Sequence, residues 1–301
     1  MQTRAVSSGK RKARLLLVTA VGAALLYAAP ASAAATKIKQ SGCPVMITQP
    51  GDYELATDIG PCAASTNGIV IRASNVSLQL KGHRIIGSTD PTSCNSGFGI
   101  KVGFLPDAVA SVRIFGKGSV ENFFAGLFAQ NSADSFVKDL TVTGDCANLG
   151  FSYGFFFDSP GTNWKIEGNV VREPGLSSTG ITLYGTDNNV VVRNDVNDSI
   201  SLWDSSHNTV VNNVASDNTG GIFLLSLGVG PGSNDNQIHA NTTTNNTNSA
   251  GLWIVMGSGN TITGNKAFGN TTLDLRDDNP ACGTNHWHGN QFGIANQACI
   301  Q

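Results

Sequence analysis

Charge and aromatic rings are both scarce in this chain. Of its 301 residues, 13% are Asp, Glu, Lys or Arg and 7% are Phe, Trp or Tyr. Helix bundles draw on Glu, Lys, Arg, Leu and Ala, so this balance speaks against one. Basic residues are not in excess, and no nucleic-acid partner is expected. No Cys-x-x-Cys or Cys-x-x-His cluster occurs, and zinc sites typically show such close spacings, so no metal is assigned to the cysteines. The longest apolar run falls short of the about 20 residues that span a bilayer. What is abundant is glycine, 35 residues, and asparagine, 29. Both favour turns, and the 40% hydrophobic content can still support a core.

Arg4, Lys10, Arg11, Lys12 and Arg14 precede an apolar stretch from Leu15 to Ala29, and Ala31-Ser32-Ala33 has the small-x-small pattern of a cleavage site. Residues 1–33 therefore read as a Sec-type signal peptide. The mature protein is expected outside the cell or in its envelope, as a monomer without membrane contact. The leader holds five of the 19 basic residues and none of the 21 acidic ones, so residues 34–301 carry a net charge of −7 rather than −2. Six cysteines follow the leader: Cys43, Cys62, Cys94, Cys146, Cys282 and Cys299. An even count in an oxidising compartment favours disulfides. Fifteen pairings are open, and position suggests 43–62, 94–146 and 282–299.

An internal repeat organises the rest. Nine segments begin at Gly68, Gly99, Gly126, Gly154, Gly180, Ser199, Gly221, Gly251 and Thr272. In each, the next residue and the one two later are apolar, from Ile69/Ile71 through Phe155/Phe157 and Ile181/Leu183 to Leu273/Leu275. Period-two alternation marks a strand with one buried face. A second signature, apolar-x-x-Asn, recurs at Ile166/Asn169, Val191/Asn194, Val210/Asn213, Ile238/Asn241, Ile262/Asn265 and Trp287/Asn290. Asn189, Asn208, Asn236, Asn260 and Asn285 lie two residues before the apolar position; in the first of these repeats Asn163 lies three before, a slip of one.

Repeats this short leave no room for crossover helices. Each must coil into a rung of strands, with rungs stacked in parallel and wound right-handedly. The expectation is an all-β, single-domain right-handed parallel β-helix of about nine rungs. It comprises a cap over 34–66, repeats over 67–276, and a final rung with a C-terminal cap over 277–301. At about 4.8 Å per rung the rod is on the order of 40 Å long. Asn recurring at one rung position would stack as a hydrogen-bonded ladder, which makes these residues scaffold.

The stretches Gly180-Ile-Thr-Leu183 with Asn189-Val-Val-Val-Arg-Asn194, and Gly251-Leu-Trp-Ile254 with Asn260-Thr-Ile-Thr-Gly-Asn265, resemble bacterial right-handed parallel β-helix repeat proteins. That superfamily includes the pectate lyases and the NosD-like repeat proteins. The resemblance covers nearly all of residues 34–301 and implies the pectin-lyase-like fold. It implies no single activity, because the architecture carries lyases, hydrolases, esterases, epimerases and non-enzymes. Several specific motifs are missing: Asn-Thr-Asp with Gly-His-Gly of polygalacturonases, Asp-Pro-His of alginate epimerases, and Trp-x-Asp-His of pectate lyases.

Enzymes on this scaffold work on the outer face of one sheet. The outward residues there should be the second and fourth after each start, which gives a track of Phe128, Phe156, Tyr184, Trp203, Phe223 and Trp253. Flat rings suit sugar stacking, and a long apolar patch marks a binding face. The competing account has the insertions at 147–153 and 225–233 fold over the rings. Polysaccharide is the expected partner, with Tyr184, Trp203, Phe223 and Trp253 as binding residues. Asp158, Asp204 and Arg276 are the candidate catalytic groups, with Asp277, Tyr184 and His207 within reach. A lyase would need a base and calcium or another cation, and a hydrolase two carboxyl groups. The competing reading, which the sequence favours, is that these Asp residues satisfy turn N–H groups. His286 and His288 share a strand face, which suits a metal or simply a polar surface. The other functional class is a non-catalytic surface or envelope protein whose rod presents loops to a protein partner.

Overall fold

The computed structural model describes residues 34–301 apart from 91–93, 145–148, 173–177, 218, 227 and 229–231. The expected signal peptide and Cys146 lie outside the described residues, as does part of each insertion expected to cover the aromatic rings. The described residues form one 27-stranded parallel solenoid of about nine turns, with three short strands to a turn. In a C-terminal turn these are Ile200–Trp203, Thr209–Val211 and Val214–Ala215, and each pairs in parallel with its counterpart one rung on. Three flat sheets therefore run along the rod, one for each strand of the turn.

The first sheet holds the register that period-two alternation predicts. Leu127, Phe155, Ile181, Ile200, Ile222, Leu252 and Leu275 lie side by side on successive rungs. All seven point inward and are buried. The leading glycine has a steric cause. At Gly126 an added Cβ would come within 2.3 Å of Val142 Cγ1, and at Gly180 within 2.0 Å of Val196 Cγ1. The third sheet turns back against the start of the first at that corner. On the next rung Ser199 takes the glycine place, and Ala215 stacks on Val196 in the third sheet.

The last start falls two residues later than the sequence suggests. Leu252 pairs with Leu275, Trp253 with Arg276 and Ile254 with Asp277. Asp274 therefore takes the glycine place rather than facing outward, and Asp277 points into the rod with no exposed surface. The pair Leu273/Leu275 satisfies the apolar alternation and Leu275/Asp277 does not, because the final rung has an inward carboxyl that the pattern cannot anticipate.

The asparagines form ladders. Asn169, Asn194, Asn213, Asn241, Asn265 and Asn290 each donate Nδ2 to the Oδ1 of the next, at 2.9–3.0 Å. Asn189, Asn208, Asn236, Asn260 and Asn285 make a second column. Asn163 does not join it. Trp164 holds that place, buried at 2% exposure, with its backbone N–H on Asn189 Oδ1 and its Nε1 on Ser132 Oγ. A third column, Asn246 and Asn270, stands five residues after the first and was not foreseen. Every ladder donates toward the C-terminus, so each needs an acceptor at its end. Asp277 takes Asn285, Asp274 takes Asn270, and the Gln301 carbonyl takes Asn290. That explains the buried Asp274 and Asp277.

The ends carry strands and cross-links. Thr36–Ile38 pairs with Gly51–Leu55, and Val45–Ile47 with Ile69–Ile71. Disulfides close Cys43 to Cys62 and Cys282 to Cys299, with Cα atoms 5.4 and 6.1 Å apart. Among the described residues no helix is long and apolar enough to cross a membrane.

Candidate functional site

Outside the first sheet, residues two apart on a strand share a face, and parallel register stacks equivalents from rung to rung. One outward column runs Lys101, Phe128, Phe156, Thr182, Ser201, Phe223, Trp253, Arg276. Its neighbour runs Gln130, Asp158, Tyr184, Trp203, Leu225. The six expected rings do lie on this one face. Phe128 is buried at 6% exposure, and the other five are half-buried. Centroids 5.6 Å apart join Phe128 to Phe156, 6.3 Å Phe156 to Tyr184 and 6.2 Å Tyr184 to Trp203; Phe223 and Trp253 stand 6.1 Å apart.

A third outward column, one place before each glycine, was missed. It brings Phe98 flat against Phe128 at 4.4 Å and Tyr153 flat against Phe156 at 4.5 Å. Farther along, the same column becomes Thr179, then Asp198, then Gly220. Rings are thick at the N-terminal end, small polar residues occupy the two middle rungs at Thr182 and Ser201, and rings return at Phe223 and Trp253. The result is a hollow of about 280 Å³ lined by Ser178, Thr179, Ser199, Ser201, Thr219, Leu225 and the rings of Trp203, Phe223 and Trp253. Phe223 leans back over Gly220, whose added Cβ would meet the ring at 2.1 Å. Trp203 Nε1 is buried and has no hydrogen-bond partner among the described residues, and the same holds for Thr182 Oγ1.

Behind the rim sits Asp198, 2% exposed. Its Oδ1 accepts from the Ser199 N–H at 2.9 Å and from the Thr219 hydroxyl at 3.3 Å. Burial pushes its carboxyl up to about 7, against the lowering effect of those two bonds. Asp158 is shifted the same way by burial, opposed by hydrogen bonds from the Ser159 N–H at 2.8 Å and from Gln130 Nε2 at 2.7 Å.

The acidic and basic candidates do not converge. Asp158 is cross-strand from Tyr184, which is cross-strand from Trp203. Asp204 follows Trp203 on the turn, in a left-handed conformation with φ 47°. That places it two rungs from Asp158, about 10 Å by strand spacing. Arg276 lies five rungs from Asp158, roughly 24 Å. It is held by Asp278, Nε to Oδ1 at 2.7 Å and Nη2 to Oδ2 at 3.2 Å, with its guanidinium 4.0 Å from the centroid of the Trp253 ring. Trp253 Nε1 donates to the same Asp278 at 2.9 Å. Asp277 is inside the rod. His207 is exposed on a turn of the second sheet, 3.8 Å from Asp235. His286 and His288 are both exposed on the final strand of that sheet, and no cluster of three metal-ligating side chains occurs among the described residues.

At the N-terminal end of the face the Lys101 ammonium stands 3.7 Å from the Phe104 ring centroid and 5.5 Å from that of Phe98. Burial, with a smaller contribution from Arg72, lowers its pKa. A cation thus flanks the rings at each end of the track, and the middle has none.

Comparison with known proteins bears on the fold. No curated protein matches the chain in sequence. Among solved structures, the Dettilon tailspike protein is similar at a TM-score of 0.56 and 16% identity, over 85% of this chain and 51% of its own. This chain therefore spans about half the length of the tailspike. The periplasmic alginate epimerase AlgG gives 0.48 and 17%, over 85% and 73%. The DFA-IIIase of Arthrobacter chlorophenolicus A6 gives 0.45 and 13%, over 82% and 75%. A family model described as the right handed beta helix region matches residues 119–267. With parallel rungs on every side of that segment, the chain is a right-handed parallel β-helix protein.

Proposed function

We propose that this protein binds a polysaccharide along the outer face of its first sheet, with the chain running over the Tyr184, Trp203, Phe223 and Trp253 rings. One observation carries the reading: half-buried rings on consecutive rungs flank a hydroxyl-lined hollow. Rings spaced by the rung repeat offer flat apolar surface at intervals that an extended glycan can use, and the hydroxyls between them take its polar edges. Five of the six rings keep some exposed surface. An exported, disulfide-closed rod would meet such polymers outside the cell.

Binding is the primary reading. Hydrolysis is a second one, favoured by burial raising the pKa of two carboxyl groups on this face, Asp158 and Asp198, the direction a general acid needs, though they stand at opposite ends of strands two rungs apart and do not form a pair. Lyase chemistry finds less support, because it calls for cations beside the reacting uronate and Arg276 is already committed to Asp278.

The test is a glycan panel of pectate, alginate, hyaluronan, xylan and bacterial capsule, incubated with the protein with and without calcium, and read by binding and by mass spectrometry of products. Trp203→Ala with Trp253→Ala should abolish binding while leaving the melting temperature within a few degrees of wild type. A large loss of stability would show that the rings are packing residues, and the reading would fall. Saturated oligosaccharide products would add hydrolysis, and unsaturated ones would establish a lyase.

A further inference from the structure

The hollow has a charge environment that the sequence makes plain once its position is known. Between Arg193 and Lys266 there is no Lys or Arg, while Asp195, Asp198, Asp204, Asp217 and Asp235 fall in the same stretch. The segment from Glu173 to Val192 has no Lys or Arg either. Every residue that lines the hollow comes from these two segments. Arg193, which separates them, stands on the turn just after the second-sheet strand Val190–Val192 and its side chain pairs with Glu167.

We propose that the hollow between Trp203, Phe223 and Trp253 is a subsite for one uncharged sugar ring, and that it selects against uronates. This rests on the glycan-binding reading above and narrows its substrate class. The lining is aromatic and aliphatic carbon and hydroxyl, with no positive group among the lining residues to receive a carboxylate. An acid lies directly behind two of the lining residues, since Asp198 accepts from Ser199 N–H and Thr219 Oγ1. A uronate would lose water against this wall and gain no counter-charge, which is costly for an anion. An uncharged ring loses little: its C–H face lies on the indole and phenyl rings, and its hydroxyls meet Ser and Thr. The buried Trp203 Nε1 is a donor still to be satisfied. The cation that does approach, Arg276, covers one face of Trp253 and is neutralised by Asp278. At about 280 Å³ the hollow is smaller than the ~300–1,000 Å³ of drug-sized sites, which fits one ring of a longer chain.

The experiment is titration of the full chain with cello-, manno-, xylo- and malto-oligosaccharides and, in parallel, with oligogalacturonate and oligomannuronate, each with and without calcium. Intrinsic tryptophan fluorescence is the readout. Of the four tryptophans, Trp164 and Trp287 are buried in the core, so quenching reports on Trp203 and Trp253. At least one neutral series should quench saturably, and both uronates should bind at least about ten-fold more weakly. Neutral binding should be insensitive to salt up to about 0.5 M NaCl, since no charge pair is involved.

Two variants locate the site. Trp253→Ala should remove the quenching and Trp253→Phe should keep part of the affinity. Gly220→Ala, which forces the Phe223 ring out of its place, should weaken binding several-fold with an unchanged melting temperature. A uronate that binds as tightly as the best neutral glycan overturns the proposal. If Trp253→Ala abolishes that uronate binding, the glycan face survives and only the selectivity fails. If no glycan of either kind binds, both readings fail together. Neutral binding that is indifferent to Gly220→Ala and Trp253→Ala places the subsite elsewhere and also overturns the proposal.

Discussion

Replacing Asp198 with Asn should make the protein more stable at pH 8 and leave it nearly unchanged at pH 4. Asp198 is 2% exposed, and burial pushes its carboxyl up to about 7 in the fold from an ordinary value of 3.8. Below pH 4 the group is protonated in the folded and unfolded chains alike, so it contributes no pH dependence. Between about pH 4 and 7 the unfolded chain releases the proton while the folded one holds it, and stability falls as pH rises. Above 7 both forms are ionised and the full cost remains. A shift of about three units corresponds to at most about 4 kcal/mol, at 1.36 kcal/mol per unit. Asn keeps an oxygen for the Ser199 N–H and the Thr219 hydroxyl and carries no charge. The variant should therefore match wild type near pH 4 and exceed it by up to about 4 kcal/mol at pH 8, a rise in melting temperature of up to about 8 °C for a chain of this size. Urea unfolding of both proteins at pH 4, 6 and 8 isolates Asp198, because every other titrating group is common to the two. A difference that stays flat across this range, or that favours wild type at high pH, would refute the argument that burial governs this carboxyl.

The ladders and the cross-links make two further predictions. Asn213 donates to Val191 O at 2.9 Å and to Asn241 Oδ1 at 3.0 Å, and accepts from the N–H and the Nδ2 of Asn194. Asn213→Ala leaves several of these partners buried and unsatisfied, each costing about 1–3 kcal/mol, so a loss of at least about 3 kcal/mol is expected in urea unfolding. A loss below about 1 kcal/mol would mean that the ladder is incidental to stability. Reduction of Cys43–Cys62 and Cys282–Cys299 should lower the melting temperature, since a disulfide typically stabilises by about 2–4 kcal/mol and these two hold the ends of the rod. With thiols confirmed free, an unchanged transition in calorimetry would show that neither end limits unfolding.

Much of the fold is readable from residue spacing because a parallel solenoid makes each residue's neighbour its own equivalent one turn on. Ile181, Ile200 and Ile222 are adjacent in space because they occupy the same place in the repeat, and the apolar alternation that identifies the place also identifies the contact. The same logic predicts Asn194 on Asn213. It fails where a rung departs from the repeat. Trp164 displaces Asn163 because a large ring whose Nε1 finds Ser132 can fill the ladder position. Asp277 replaces an inward aliphatic residue because the last rung must end two ladders and has no following asparagine to do so. The Asn246 and Asn270 column was legible in principle, five residues after Asn241 and Asn265, but it spans only two asparagines before Asp274 closes it.

The site was legible to a different degree, for a reason of the same kind. Period two assigns Trp203, Phe223 and Trp253 to one face without any knowledge of the turns, because strand geometry alone fixes which side a residue takes. It does not say which residues lie at the strand entrances, where Tyr153, Thr179 and Asp198 stand, since the chain is leaving a turn there and the alternation has not begun. Distance along the rod does follow from counting repeats, and it separates groups that share a place at the strand exit. Asp158 and Arg276 look comparable in the repeat pattern, yet they are five rungs apart. The feature that gives the face its chemical character is a property of a whole segment rather than of any motif. From Glu173 to Gly264 the single Lys or Arg is Arg193, and the residues that line the hollow all come from that run of sequence. A linear sequence shows the missing lysines and arginines as a gap in composition. Coiling stacks the gap on itself, rung over rung, until it surrounds one hollow, and that compositional bias is the basis of the proposed preference for an uncharged ring.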